Sequence, residues 1–287
     1  SGIFILSTGT VKRTVSRILS MLETLELYFF YLAFLFYASA WIWHLQGWRK
    51  QSSHQTRIAI AILWAGWVLN CLMVLLRWYR AEHVPMLSAF EFVTFFALLV
   101  TGVFLIFSLK EQNRMLGVFL LPVSLMLMVY AAFMPKDVEP ELPIFDSLLL
   151  QFHILTTLLG YAAWTVTFAA SVSFLYLDHK KQLSPNLFDQ MAYRAAFFAL
   201  SFLTLGILTG ALWGDRVFGQ LWFWDPKETW SLITWLIFLA YLHARYTLDW
   251  RGRRAAILAI IGFMALVFTY VGVDFLLPQI HGTMGSE

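Results

Sequence analysis

Eight runs of mostly apolar residues, each close to the length of a membrane crossing, leave this chain little choice of fold. They cover 25–43, 58–76, 92–109, 115–133, 147–177, 195–213, 226–245 and 255–273. A helix needs about 20 such residues to cross the hydrocarbon of a bilayer. With 60% apolar, 18% aromatic and only 13% charged residues, an ordinary soluble domain is excluded. The expectation is an all-α, polytopic membrane helix bundle of eight transmembrane helices with a Trp-rich loop at its outer face. Residues 1–24 form an outer N-terminal segment, in which 11–23 (VKRTVSRILSMLE) suits a short basic helix lying on a membrane surface. Residues 25–276 make the bundle, including the 213–230 loop, and 277–287 an outer tail containing His281. The extreme terminal residues enter no part of this reading.

Eight crossings put both termini on one side. Twelve of the twenty Lys and Arg fall in the connections 44–57, 109–115, 178–194 and 244–255, which marks those as inward. The termini and the Trp-rich loop then face outward. The single cysteine, Cys71, lies in an apolar run, so neither an intrachain disulfide nor a CxxC couple is available. Basic residues are few and scattered, which gives no support for a nucleic-acid partner. No GxxxxGKS/T, GxGxxG or HExxH pattern is present, so nucleotide, dinucleotide and zinc-protease chemistries find no support either.

Five of the thirteen tryptophans lie in GALWGDRVFGQLWFWDPKETWSLITW, residues 210–235. Asp225, Pro226 and Glu228 read as N-cap, first helical position and N3 of a helix running toward Arg245. That start fixes Trp222 and Trp224 immediately above the helix, as a flat aromatic surface at a membrane face. An interfacial tryptophan belt, with Trp213, Trp222 and Trp224 as anchors, is the plainer alternative.

Of seven histidines, His83, His153 and His281 fall at the same face as this segment. His243 follows Pro226 by 17 residues and so lies about 26 Å deeper at 1.5 Å per residue. His44, His54 and His179 fall in inward connections, where a solvated surface is expected. Imidazoles above a tryptophan platform suit a porphyrin, whose iron takes axial nitrogen ligands and whose macrocycle needs a flat apolar surface. His153 and His281 are candidates for the two axial positions, with Arg216 and Lys227 as candidates for the propionates. The plainer readings are satisfied polar residues and interfacial charge. His243 is an ionisable group in a span and therefore a functional candidate. No second histidine of this chain is expected at its depth in an adjacent span, so a mate would come from another protein.

WFWDPKETWSLITW followed by IFLAYLHAR resembles the tryptophan-rich signature of the CcsA/ResC family, the haem-handling membrane proteins of System II cytochrome c biogenesis. HVPMLSAFEF at His83, LLLQFHILTTLLGYAAW at His153 and GVDFLLPQIHG at His281 extend the resemblance over about residues 25–282. It implies a protein of the bacterial cytoplasmic or thylakoid membrane, with the Trp-rich loop on the periplasmic or lumenal side. It further implies transport and presentation of haem b to an apocytochrome c bearing CxxCH, with a ResB-like membrane subunit. Thiol-reducing proteins are further candidate partners. The chain would be a component of a cytochrome c synthase, or haem lyase, complex whose activity depends on the ResB-like subunit. His153 and His281 match the outer axial ligands, His243 the inner ligand, and Trp222, Trp224 and Asp225 the core of the WWD segment. No residue is expected as an acid or base. FGQLWFWD places Phe218 where the family commonly has a first Trp, which keeps an aromatic face but removes an indole N–H. LPQIHG departs from the family's usual ending around His281. His83 is expected as an orienting residue outside the iron shell. A dihaem electron-transfer subunit and a small-molecule transporter are the rival readings. The first needs two complete bis-His sites, and the second commonly shows duplicated halves that this sequence does not display.

Overall fold

The computed structural model describes residues 2–109, 114–138, 146–180 and 185–276, and among these every regular element is a helix. In chain order they are α1 (Gly2–Arg49), α2 (Ser53–Ala81), α3 (Ala89–Ser108), α4 (Arg114–Phe133), α5 (Leu148–His179), α6 (Pro185–Phe218), α7 (Pro226–Thr247) and α8 (Arg253–Val267). A π-helical turn, Phe268–Gly272, carries α8 into a last short helix α9, Val273–Leu276. Seven of these helices are long and apolar enough to cross a membrane, one fewer than the eight expected. The exception is α7. Its 22 residues span about 33 Å, sufficient for a crossing, but Lys227, Glu228, His243 and Arg245 dilute its apolar character. The surface helix expected at 11–23 does not stand apart, because no proline interrupts the chain and α1 runs unbroken from Gly2.

The helices form two halves with the same neighbour order. α1 packs on α2 and α4, with α2 on α3 and α3 on α4; α5 likewise packs on α6 and α8, with α6 on α7 and α7 on α8. α5 joins the halves by touching α3 and α4. Without a hydrophobic drive between helices in lipid, tight packing of small residues does this work. The α5–α6 contact shows it clearly. Ala162, Ala163, Ala169 and Ala170 on α5 and Ala192, Ala195, Ala196 and Ala199 on α6 are all buried. Gly160 lies so close that a Cβ there would sit 2.9 Å from the Leu203 backbone nitrogen. At the centre of the second half Trp164 stacks on Phe238 at 3.4 Å and donates Nε1–H to the Ala259 carbonyl at 3.1 Å, tying α5, α7 and α8 together.

Ion pairs clamp both ends. At one end the Arg77 guanidinium donates to Glu91 at 2.7 Å, to Glu26 at 3.1 Å, and to the Lys136 and Asp137 carbonyls at 2.6 Å each. Arg80 adds a second bond to Glu26. At the opposite end Arg245 donates to Asp189 at 2.6 Å, and Asp189 also accepts from the Gly252 backbone N–H at 2.9 Å.

His44 departs from expectation. The α1–α2 connection is only residues 50–52, so α1 extends past the expected end of its span and carries His44 onto the face already buried through Tyr37 and Ala40. The ring is fully buried against Phe104 and Gly117, and neither ring nitrogen has a hydrogen-bond partner among the described residues. His54 and His179 are exposed, as expected.

Candidate functional site

Alternation of helix direction gathers the end of α6, the start of α7, the first turns of α5 and the α2–α3 turn at one end of the bundle. The Trp-rich stretch is less of a loop than the sequence implies. Trp213, Arg216 and Phe218 lie in the last turns of α6, and only residues 219–225 connect it to α7. Gly219, at φ +74°, stops α6, and its N–H bonds the Asp215 carbonyl at 2.9 Å. Asp225 is the N-cap of α7, 3% exposed, and one carboxylate oxygen accepts from the Glu228 N–H at 2.7 Å. Pro226 opens the helix, as the sequence predicts. Glu228, however, does not complete a capping box. Its carboxylate reaches further back and accepts from the Phe223 N–H at 2.7 Å, so it pins the turn between the two tryptophans.

The rings do not make one flat surface. Trp213 meets Phe218 at 5.7 Å and 88°, and Phe218 meets Phe223 at 5.5 Å and 87°, an edge-to-face chain that packs the turn. Trp222 and Trp224 are likewise edge-to-face, at 5.9 Å and 79°. Edge-to-face pairing satisfies the ring quadrupoles, which a coplanar array would not. Trp224 is the ring with an open surface, 69% exposed, and its backbone sits at φ +57°, a left-handed conformation that costs a non-glycine residue about 1–3 kcal/mol. Such strain clusters at functional positions. The Nε1–H groups of Trp213 and Trp222 are buried with no acceptor among the described residues.

His153 lies in the second turn of α5, half-buried, with Nδ1 at 2.7 Å from the Gly206 carbonyl oxygen of α6. Only a protonated Nδ1 makes that contact, so the lone pair is on Nε2, the arrangement in which a backbone carbonyl orients a metal-binding imidazole. His83 is buried in the α2–α3 turn with Nδ1 at 3.0 Å from the Val84 carbonyl, beside the capping box of Ser88 and Glu91. Arg216 is exposed and Lys227 half-buried.

His243 is at the other end of α7, exposed, with the Thr247 hydroxyl 3.4 Å from Nδ1. Its ring therefore faces out of the bundle, not into it. His281 lies outside the described residues. The π turn that leads toward it is held by Thr269, whose hydroxyl donates to the Ala265 carbonyl and meets Thr234 at 2.8 Å. π turns recur at functional sites. Sequence reasoning passed over Gly206 and Gly210, although GILTGALWG spells glycine at every fourth position from 206 to 214. It also passed over the Arg77, Glu26 and Glu91 cluster, visible as charges at the edges of apolar runs.

Residues 86–281 match the family model for the cytochrome C assembly protein. The chain is similar to the cytochrome c biogenesis protein CcsA of Chlamydomonas reinhardtii, 36% identical over 75% of this chain and 65% of that one. It is 32% identical to CcsA of Synechococcus elongatus over 74% of this chain and 83% of the cyanobacterial protein. Among solved structures it resembles the cytochrome c haem lyase CcmF, with a TM-score of 0.69 at 19% identity over 92% of this chain and 48% of the lyase, a likeness of fold. The chain thus spans just under two-thirds of the algal relative and about half of the lyase. These matches, which run through the helices that hold His153 and the tryptophan turn, place the chain in the cytochrome c assembly protein family, among its CcsA-type members.

Proposed function

We propose that this membrane protein serves cytochrome c biogenesis by holding haem b at the tryptophan end of its bundle for attachment to an apocytochrome c. The observation that carries the reading is His153. Its Nδ1–H is fixed by the Gly206 carbonyl, which directs the Nε2 lone pair to act as an iron ligand. The other requirements of a porphyrin carboxylate are met nearby. Trp224 offers an open ring face, Trp213 and Trp222 have indole donors with no acceptor among the described residues, and Arg216 and Lys227 bring cations to the same end. Donor and ring chemistry therefore fit haem as the cargo. Trp222 and Asp225 keep the turn in place, and His281 is the second axial ligand in this reading.

His243 takes a separate part. Exposed on the outer surface of α7, it has its surroundings outside this chain, which suits a haem site completed by a histidine of a ResB-like subunit. Haem passes from that inner site to His153 and His281, and the protein's work is positioning. The cysteines of CxxCH, kept reduced by thiol-reducing proteins, add to the haem vinyl groups once held beside them, where proximity alone supplies much of the rate. The tryptophan end faces the periplasm or lumen in this arrangement.

The test is the haem content and absorption spectrum of the complex purified with its ResB-like subunit. His153→Ala/His281→Ala should lose an outer low-spin haem, and His243→Ala should prevent filling. Haem content and spectrum unchanged in both would refute the ligand assignments and leave the tryptophan turn as a docking surface for the apocytochrome.

A further inference from the structure

We infer that Gly210 is a positioning residue for the His153 imidazole: α6 carries a notch, floored by Gly210 and closed by the Gly206 carbonyl, that sets the direction of Nε2. The inference rests on the reading of His153 as an iron ligand and names what fixes that ligand. Two observations carry it. A Cβ at Gly210 would fall 2.6 Å from His153 Nδ1 and 2.7 Å from its Cε1, closer than real Cβ contacts. One turn earlier on α6, Gly206 supplies the carbonyl that receives Nδ1–H at 2.7 Å. The ring is therefore fixed at its Nδ1 edge twice over, by the close approach of the Gly210 backbone and by a directional hydrogen bond to the Gly206 carbonyl.

A helix presents its residues at i and i+4 on one face, so Gly206 and Gly210 are a single surface toward α5. Their counterparts on α5 are Thr157 and His153, also four apart, and Gly206 lies against the Thr157 hydroxyl. Any side chain at 210 would have to turn the imidazole about its χ angles. That lengthens or breaks the bond to Gly206, releases the Nδ1–H tautomer and swings Nε2 off its line. A ligand displaced by 1 Å is ineffective at a site that works by holding geometry.

Gly160 provides the control for helix packing. It lies on the same α5–α6 interface, and a Cβ there would meet the Leu203 backbone nitrogen at 2.9 Å and the Ala199 carbonyl at 3.1 Å, away from His153. Gly160→Ala therefore stresses the helix pair without touching the ring.

The experiment adds ferric haem to the full chain, purified in detergent, and reads haem retained and the low-spin spectrum with and without millimolar imidazole. Gly210→Ala should retain roughly tenfold less low-spin haem, a loss of about 1.4 kcal/mol, with added imidazole restoring the spectrum. Gly160→Ala should keep the wild-type spectrum at reduced thermal stability. A wild-type spectrum in Gly210→Ala, or equal losses in both variants that imidazole does not restore, would overturn the inference. Melting of the haem-free protein gives an independent reading. Gly210→Ala should cost clearly less stability in a His153→Ala background, because the clash partner is gone; equal costs in both backgrounds would also overturn it. If His153→Ala retains its low-spin haem, the ligand reading falls and this inference with it. Loss in His153→Ala with none in Gly210→Ala removes the positioning role alone.

Discussion

Replacing Arg77 with Met should be the most damaging single change at the tryptophan end. Arg77 is 1% exposed and bonds two carboxylates that are themselves about 1% exposed, together with the Lys136 and Asp137 carbonyls. Methionine matches much of the side-chain length, so lost packing is small and lost charge dominates. Removing one partner of a buried ion pair costs about 3–5 kcal/mol, because the other charge is left uncompensated. Glu26 keeps Arg80, and Glu91 keeps the Leu87 and Ser88 N–H groups, which argues for the lower half of that range. Arg80→Met is the internal standard. Arg80 is 11% exposed, and its other partner, Glu23, is 55% exposed, so about 1 kcal/mol is expected there. Unfolding of the detergent-solubilised protein by heat or denaturant should rank wild type, Arg80→Met and Arg77→Met in that order, with a wide gap before the last. Arg77→Met combined with Glu26→Gln and Glu91→Gln should recover part of the loss, since no buried charge then lacks a partner. Equal effects of Arg77→Met and Arg80→Met, or a triple variant worse than the single one, would refute the reasoning.

Two further outcomes follow from buried polar groups. His44→Leu should leave stability unchanged or raise it by up to about 2 kcal/mol, because an unsatisfied buried polar group costs about 1–3 kcal/mol and the ring carries two; a clear fall in melting temperature would show that His44 has a partner of its own. Glu228→Ala should speed hydrogen exchange at the Phe223 amide by at least roughly tenfold, since a hydrogen bond to a charged group contributes about 1.5–3 kcal/mol. Glu228→Gln should keep most of the protection, and unchanged exchange in the alanine variant would refute the clamp.

The apolar runs made the helices and their order legible, because eight stretches of membrane length can fold in few other ways. The cap at Asp225 and Pro226 was equally legible, since capping is local chemistry. Direction around a helix was not. His44 and His243 both lie in or beside apolar runs, yet one is fully buried and the other exposed. Depth follows from residue count, whereas facing depends on which neighbour packs where. The aromatic cluster failed differently. Counting tryptophans predicted a flat platform, but adjacent rings pair edge to face, and α6 runs on through Trp213 to Phe218 until Gly219 stops it. The Arg77 cluster was hidden because its members are 51 and 14 residues apart in sequence. The glycines at 206 and 210 were visible as a pattern but had no meaning until the residue facing them was known.

One helix sets the dimensions of the proposed haem site. His153 belongs to α5 but takes its orientation from Gly206 and Gly210 of α6. Eight residues further along the same helix, about 12 Å at 1.5 Å per residue, Phe218 ends α6 and the turn bearing Trp222 and Trp224 begins. The spacing between the notch that receives His153 and the aromatic turn is therefore set by α6, and it does not depend on how the halves of the bundle sit together. The turn is fixed at both ends, by the Gly219 N–H on the Asp215 carbonyl and by the Asp225 cap on α7, and Glu228 reaches back to hold its middle at the Phe223 N–H. The notch that orients the histidine and the turn that bears the tryptophans thus lie along one helical rod and at its end, while the histidine itself is carried by α5. The α1–α4 half, held at this end by Arg77, buttresses α5 from behind through α3 and α4. The exposed His243 lies outside this rod, on the surface of α7, where its partner is met from another chain in the reading proposed above.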